Sequence, residues 1–325
     1  MRAFKYSDVS LIPNFSDCTT RSRCDTSMIV AGRSFKLPVM PANMKAVVNE
    51  HQCQWLSEND YLYSMHRFDI DIQGFIENAN RENWKTISIS LGVKEIDKQI
   101  IRNIRTSGAR VDIITIDIAH GYSQLMCEML RFVRKKLGDN PCIIAGNVAT
   151  PDAVVALYSW GANYVKVGIG QGAPCTTKDK TGFTLPMFTC VKKCSDCYYS
   201  QEDFNNSERI PIVADGGIRC NGDIAKALAA GADLVMAGGL FACCSDSPSM
   251  TIEIDGVIHK AYYGSASFEN KKTQTHVEGT LKNIPSCGLS LANKMIEIKE
   301  DLQSAISYAG GNNLGCLKKV SYIEV

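Results

Sequence analysis

The residues best suited to chemistry lie in the segment KVGIGQGAPCTT, residues 166–177, where a glycine-rich bend follows an apolar run and leads to a cysteine. Glycines at alternate positions over 168–172 admit positive φ and close backbone approach, so carbonyl or amide groups can converge on a ligand. A thiolate at Cys175 can attack an electrophilic carbon and divide one difficult step into two, with the hydroxyl of Thr177 close behind it. The spacing predicts a nucleophile on a loop; the alternative is a structural turn with a buried, inert cysteine.

Eight short apolar or β-branched runs, each followed by turn residues, supply the elements that would position this loop. The predicted strands span residues 37–42, 61–66, 86–91, 111–117, 142–147, 164–169, 211–216 and 233–238. Helical patterns such as SQLMCEMLRFVRKKL and TPDAVVALYSWG separate most of them. Near-continuous apolar strands alternating with helices indicate a parallel sheet covered by helices, and eight such units close a (β/α)8 TIM barrel. A doubly wound sheet, the alternative, would hold fewer strands.

The length of 325 residues suits one α/β TIM-barrel domain over 1–325, with an N-terminal extension over 1–36 and long insertions after strands 6 and 8. We expect the second insertion, within 240–290, to form a flap, because long loops in compact domains are often lids or binding elements. Fourteen cysteines are scattered along the chain without an export signal, so we expect reduced thiols and a cytoplasmic location. The run Cys190, Cys194 and Cys197 lacks the partners of familiar zinc modules and is interpreted as packing.

Charge excludes some partners. Lys and Arg number 35 against 34 Asp and Glu, so no net field favours nucleic acid or an anionic membrane. No run approaches the roughly 20 apolar residues of a membrane span. We therefore expect a small charged ligand, bound by local geometry.

Two glycine pairs mark the ends of predicted strands 7 and 8, where TIM barrels commonly bind a phosphate on backbone amides. Gly216 and Gly217 follow the first of these strands, and Gly238 and Gly239 follow the second. Asp215, just before the first pair, can accept hydrogen bonds from ribose hydroxyls, whereas it would repel a phosphate. The same glycines can hold the phosphate of FMN, and tight turns without a ligand are a further alternative.

Other polar side chains also follow predicted strands, on the face where a barrel carries its chemistry. Asp117 is the strongest candidate, since an acid that ends an apolar strand must face solvent or a ligand. The remaining candidates can equally cap helices or bind loop backbone, and they are Asn43, His66, Arg67, His120 and Asn147.

Taken in order, these motifs together with Tyr263-Gly264-Ser265 resemble the IMP dehydrogenase and GMP reductase family. The resemblance runs from YSDVSLIP to DLQSAISYAGG, nearly the whole chain. The motifs PANM, MHRFD, TIDIAHGYS, VADGGIR and YYGSAS are closer to the GMP reductase branch, in its shorter bacterial-type form. A regulatory insertion of more than a hundred residues and an Arg-Tyr pair on the flap, usual in IMP dehydrogenases, are not found over 240–290.

The resemblance implies a homotetrameric barrel that converts GMP to IMP and ammonia with NADPH. Cys175 would attack C2 of the guanine and form a thioimidate, while Thr177 and Glu278 relay protons to and from the departing amine. The implied substrate contacts are Asp215, Gly216, Gly217, Gly238, Gly239, Tyr263, Gly264 and Ser265. The implied cofactor contacts are Ser22, Arg23, Arg67, Asp117 and Ala119.

Three further expectations accompany the resemblance. A Rossmann site is not expected, because no G-x-G-x-x-G opens a helix after strand 1; the cofactor would lie across the barrel mouth, touching a neighbouring subunit. The backbone carbonyls of Gly170, Gly172 and Cys175 can bind a monovalent cation such as K+, since carbonyl oxygens suit hard ions. Thr275 and His276 stand where many members carry an arginine, so we expect the phosphate charge to be met differently.

Overall fold

A computed structural model of the chain describes residues 2–200, 207–264, 266–271, 275 and 277–325. The described strands are β1 (Val9–Leu11), β2 (Met28–Val30), β3 (Arg33–Phe35), β4 (Val39–Pro41), β5 (Ser88–Leu91), β6 (Ile113–Asp117), β7 (Cys142–Val148), β8 (Tyr164–Val167), β9 (Tyr198–Ser200), β10 (Ser207–Arg209), β11 (Ile212–Asp215), β12 (Leu234–Ala237), β13 (Thr251–Ile254), β14 (Val257–Tyr263), β15 (Leu281–Pro285) and β16 (Tyr322–Glu324).

The described α-helices are α1 (Glu50–Glu58), α2 (Ile72–Arg81), α3 (Glu95–Ser107), α4 (Gln124–Leu137), α5 (Pro151–Ser159), α6 (Thr177–Thr181), α7 (Met187–Ser195), α8 (Asn221–Ala229), α9 (Gly239–Ala242), α10 (Phe268–Lys271) and α11 (Leu291–Tyr308). Short 3-10 helices span Tyr6–Asp8, Arg21–Arg23 and Leu314–Lys319. Side-chain caps fix several helix starts, as where the Ser123 hydroxyl accepts from the Met126 amide. Among the residues described, no helix combines the length and apolarity needed to cross a bilayer.

A parallel sheet of seven strands, in the order β4-β12-β11-β8-β7-β6-β5, forms the centre of the molecule. Its strands are almost entirely buried, which explains why each is a continuous apolar run rather than an alternating one. The helices that follow the strands cover the outside, so the fold is a TIM barrel. The prediction of this fold class is confirmed.

The predicted strand over 61–66 differs from the others. It lies against β5 but joins it by one bridge, Met65 to Ile89. Side chains satisfy part of the neighbouring backbone instead: the Tyr63 hydroxyl donates to the Thr86 carbonyl at 2.5 Å, and the Ser57 hydroxyl accepts from the Thr86 amide at 2.9 Å. The segment fills the eighth position of the barrel, yet these side-chain bonds replace a regular ladder.

The two ends of the barrel are built differently. The hairpin β2–β3 lies at the amino end of the strands, where Val30 and Phe35 pack with Met40, Ile144 and other side chains of the barrel interior. At the carboxyl end, the antiparallel sheet β13-β14-β15 lies within the region predicted to form a flap. The carboxyl end is therefore the open mouth, and it is the end on which the loops after the strands gather.

Candidate active site

The cysteine loop, residues 168–176, follows β8 at the barrel mouth. Gly168 has a φ of +137°, and a Cβ there would lie 2.0 Å from the Asp215 carbonyl oxygen, so only glycine fits between β8 and β11. The loop is also tied to residues 277–280: the Thr176 amide donates to the Glu278 carbonyl at 3.0 Å, and the Thr280 amide donates to the Pro174 carbonyl at 2.8 Å. These two bonds flank Cys175 and hold its backbone against Gly279.

Cys175, Thr177 and Glu278 form a continuous chain of hydrogen bonds. The Cys175 thiol donates to the Thr177 Oγ1 at 3.2 Å, and that hydroxyl donates to Glu278 Oε2 at 2.6 Å. All three side chains are only partly buried, so a ligand in the mouth can reach them. The arrangement can deliver a sulfur nucleophile and move a proton between a hydroxyl and a carboxylate.

The two glycine pairs lie beside this loop. A Cβ at Gly216 would lie 3.3 Å from the Gly172 amide nitrogen, and the Gly217 amide donates to the Gln171 carbonyl at 3.1 Å. The Gly217 amide therefore anchors the cysteine loop. Gly238 is the N-cap of α9 and Gly239 is its first residue. In the described part of the chain the Gly239 amide has no backbone acceptor, which leaves it available to an anion.

Tyr262 completes this side of the mouth, although the sequence analysis selected its neighbour Tyr263. A Cβ at Gly238 would lie 2.1 Å from the Tyr262 hydroxyl, so the phenol sits directly over this glycine. Burial, followed by the negative charge of Asp215, raises the pKa of Tyr262, which keeps the phenol protonated as a donor. Tyr263 is half-buried, a Cβ at Gly264 would lie 3.6 Å from Pro174 Cγ, and Ser265 lies outside the described residues. Neighbouring side chains of β14 point to opposite faces, but burial along the strand does not alternate, so the sequence held no signal that separates the two tyrosines.

The contact between Gly238 and Tyr262 leads to a testable difference between adjacent glycines. Gly238→Ala would force the phenol aside, and we expect a loss of about 1–3 kcal/mol in the free energy of unfolding. In a thermal melt this corresponds to a fall of about 2 °C or more. Gly239→Ala is the matched control, because its Cβ meets nothing nearer than 3.9 Å. Equal melting temperatures for the two variants would contradict the contact.

A buried polar network crosses the mouth below these loops. Asp117, Asn147 and Asp215 stand at the ends of β6, β7 and β11, and all three bind the ammonium group of Lys166 from β8. Asn43 donates to Asp117 Oδ2 at 3.1 Å. Burial is the largest single influence on the pKa of Asp117 and raises it, but the charge of Lys166, the hydrogen bonds from Lys166 and Asn43, and the charge of Arg67 together outweigh burial, and the net shift is downward. Lys166 was not among the predicted site residues; its signal was a lone cation within the apolar run YVKVGI.

Of the side chains predicted to contact the cofactor, Arg67, Asp117 and Ala119 lie together. Arg67 Nη2 donates to the Asp117 carbonyl at 3.3 Å, and Ala119 is exposed. The Arg67 Nε is buried and has no partner among the described residues, so its N–H is free for a ligand. Ser22 and Arg23 are elsewhere, on the 3-10 helix that packs on α11, where Gln303 donates to the Ser22 carbonyl at 3.1 Å.

The remaining predicted residues are placed as follows. His66 is buried, and burial followed by the charge of Lys45 lowers its pKa to about 4, so the ring is neutral at physiological pH. His120 and Thr275 are exposed, and His276 lies outside the described residues. Cys190, Cys194 and Cys197 are packed in the hydrophobic core.

The carbonyl groups proposed for a cation are all on the cysteine loop. Gly170 has a φ of +73°, and the Gly172 carbonyl accepts from the Cys175 amide at 3.0 Å. In the described residues the carbonyls of Gly170 and Cys175 accept no backbone hydrogen bond. Two of the three carbonyls named for the cation are therefore without a backbone donor, and the third is occupied by the Cys175 amide.

The fold and the loops at its mouth define the class, a TIM-barrel enzyme. The chain belongs to the IMP dehydrogenase / GMP reductase domain family, whose model matches residues 3–325. It is 46% identical over 325 residues to a GMP reductase of Mesoplasma florum, covering 99% of this chain and 98% of that protein. It is 45% identical to a GMP reductase of Leptothrix cholodnii, covering 99% and 96%, and 43% identical to one of Staphylococcus carnosus, covering 100% and 97%.

Proposed function

We propose that this protein catalyses the NADPH-dependent reductive deamination of GMP to IMP with release of ammonia, a step of purine nucleotide interconversion. The observation that carries the proposal is the hydrogen-bonded chain from Cys175 through Thr177 to Glu278 at the barrel mouth. The near-full-length similarity to relatives named GMP reductase supports the same reaction. The enzyme is thus an oxidoreductase whose nucleophile belongs to the protein.

In the proposed mechanism the sulfur of Cys175 forms a bond to C2 of the guanine, and the bond from C2 to the 2-amino group breaks. Glu278 and Thr177 pass the proton that the amine needs to depart as ammonia, leaving a thioimidate on Cys175. NADPH, when bound, supplies a hydride to C2. The C2–S bond then breaks with its electron pair returning to sulfur, which releases IMP and restores the thiolate.

We propose the following ligand contacts. The phosphate of GMP would bind beside Gly216, Gly217, Gly238 and Gly239, where the Gly239 amide can donate while the Gly217 amide holds the Gln171 carbonyl. The hydroxyl of Tyr262 lies beside Gly238, and Tyr263, Gly264 and Ser265 would lie nearby. Asp215 would accept from the ribose hydroxyls. The free Arg67 Nε, with Asp117 and Ala119, fits the polar groups of a nicotinamide dinucleotide across the mouth. We propose NADPH as that dinucleotide.

Ser22 and Arg23 lie on the 3-10 helix that packs on α11. We propose that they contact the dinucleotide of a neighbouring subunit in a homotetramer. The carbonyls of Gly170, Gly172 and Cys175 would hold K+, which would stiffen the loop that carries the thiol. A single domain over 1–325 and a cytoplasmic location remain predictions from the sequence.

The proposed reaction is tested by incubating the purified protein with GMP and NADPH. We expect NADPH absorbance to fall while IMP and ammonia form in equal amounts, and we expect no reaction with NADPH alone. Omitting K+ tests the cation separately, since the rate should fall when Na+ replaces it. Oxidation of IMP to XMP with NAD in place of this reaction, or a yellow protein carrying FMN, would contradict the proposal.

A further inference from the structure

Lys166 is the most deeply buried charged side chain at the mouth, and it lies at the centre of the polar network. Only 1% of the surface of Lys166 is exposed to solvent. Its ammonium group donates to Asp117 Oδ1 at 3.0 Å, to Asn147 Oδ1 at 2.5 Å and to Asp215 Oδ2 at 2.6 Å. An ammonium group has three donors, so these acceptors satisfy it completely and leave none for a ligand.

This burial would be costly for an isolated cation, because an ammonium loses its hydration in the protein interior. Burial alone lowers the pKa of Lys166, but the charges of Asp117 and Asp215 and the hydrogen bonds to these carboxylates together outweigh burial and raise the pKa, so the group is a cation. Lys166 in turn stabilises the ionised forms of both carboxylates, since both bind its nitrogen atom and would otherwise repel each other. Each element of this triad depends on the other two.

The two carboxylates are also the parts of the network that face the mouth. The side chains of Asp117 and Asp215 are 18% and 21% exposed, against 2% for Lys166. Asp215 uses Oδ2 for both Lys166 and the Asn147 amide, and in the described residues its Oδ1 accepts no hydrogen bond. Lys166 therefore binds the carboxylates from the barrel interior, and Asp215 keeps one oxygen for a ligand on the side of the mouth.

Few other charges face this group. Arg67, from the loop after 61–66, approaches Asp117, and Asn43 binds the same carboxylate from the loop after β4. Tyr262 on β14 and Tyr6 near the amino terminus lie near Asp215, and both are buried phenols with raised pKa values, hence neutral. Lys166 is thus the cation that binds both carboxylates directly.

We propose that Lys166 is a positioning residue that joins the two ligand sites, holding Asp215 for the ribose of the substrate nucleotide and Asp117 for the dinucleotide as one ionised pair. This inference rests on the proposed function for the identity of the two ligands. Without the ammonium, two neighbouring carboxylates face each other, and one takes up a proton. A protonated or rotated Asp215 no longer accepts from two ribose hydroxyls.

The test measures GMP binding by calorimetry, so it does not depend on turnover. In Lys166→Met we expect GMP to bind about tenfold more weakly or worse at neutral pH, as for a lost hydrogen bond to a charged group. Raising the pH should recover part of the affinity, because it removes the extra proton, while the wild type changes little. Removing the ribose hydroxyls, with 2′,3′-dideoxy-GMP, should cost the wild type more than it costs the variant.

Two further variants separate positioning from a general loss of structure. Lys166→Met combined with Asp117→Asn removes one carboxylate together with the cation, and we expect it to regain GMP affinity relative to Lys166→Met alone. Lys260→Met is the matched control, because Lys260 is also buried but donates to Thr251 Oγ1 and backbone carbonyls rather than to carboxylates. It should leave the pH dependence of GMP binding unchanged.

The inference is overturned if Lys166→Met binds GMP with wild-type affinity and pH dependence, or if the double variant is no better than the single one. If Lys166→Met does not fold, the double variant still decides, since it should fold and bind GMP. Failure of the proposed function would show differently, as a wild type that binds GMP but does not consume NADPH with it.

Discussion

Replacement of Cys175 by alanine is expected to reduce turnover of GMP by about 10⁴-fold or more while GMP binding stays close to that of the wild type. The thiol is the only group in the chain Cys175–Thr177–Glu278 that can form the carbon–sulfur bond. Its side chain is partly exposed and donates one hydrogen bond, so its loss leaves little of a cavity. NADPH consumption gives the rate, and calorimetry gives the affinity for GMP.

Cys220→Ala is the matched control for this prediction. Cys220 is exposed and precedes α8 without a side-chain capping bond, so its removal should change neither rate nor stability. A further check is the trapped intermediate: mass spectrometry of the wild type quenched during turnover should show added nucleotide mass on the peptide that contains Cys175. Full activity in Cys175→Ala would disprove the assignment of the nucleophile.

The second large effect concerns Glu278. In Glu278→Gln the side chain keeps an oxygen that can accept from the Thr177 hydroxyl, but it can no longer exchange a proton with it. We expect kcat to fall by about 10²–10⁴-fold, the usual contribution of a general acid or base, with GMP affinity nearly unchanged. Stopped-flow measurement of NADPH oxidation in a single turnover shows whether the chemical steps, rather than product release, have slowed.

Thr177 provides the companion test of the same relay. Thr177→Ser keeps a hydroxyl between Cys175 and Glu278 and should retain most activity. Thr177→Val has the shape of threonine without the hydroxyl and should lose most activity. Glu253→Gln, in β13 on the exposed surface, serves as the control carboxylate. If Glu278→Gln turns over at the wild-type rate, the proton route does not pass through this pair.

Much of this arrangement could be predicted from the residues. Apolar runs that end in glycine or a polar residue identified the parallel strands, because buried strands leave a continuous signal in the sequence. The segment 61–66 looked the same and was predicted as a strand. The sequence around this segment does not show that the Tyr63 and Ser57 side chains bind the backbone of Thr86, because those contacts depend on how α1 packs against the chain just before β5.

The candidate site was predictable in its parts and not in its contacts. Thr177 and Glu278 are 101 residues apart, and only the folded chain shows their hydroxyl and carboxylate at 2.6 Å. Tyr262 and Tyr263 are chemically identical, and the strand's side-to-side alternation alone decides which one covers Gly238. Lys166 was visible as a cation in an apolar run, but its acceptors come from three other strands.

Backbone hydrogen bonds join residues 174–176 to residues 278–280, so the proposed nucleophile and its proposed proton carrier lie on two segments that are held together. Separating these two segments would move the Cys175 sulfur away from the Glu278 carboxylate without altering either group. A small molecule that inserts between the two segments would inhibit the proposed reaction even with both nucleotides bound. Its shape would not need to resemble a purine.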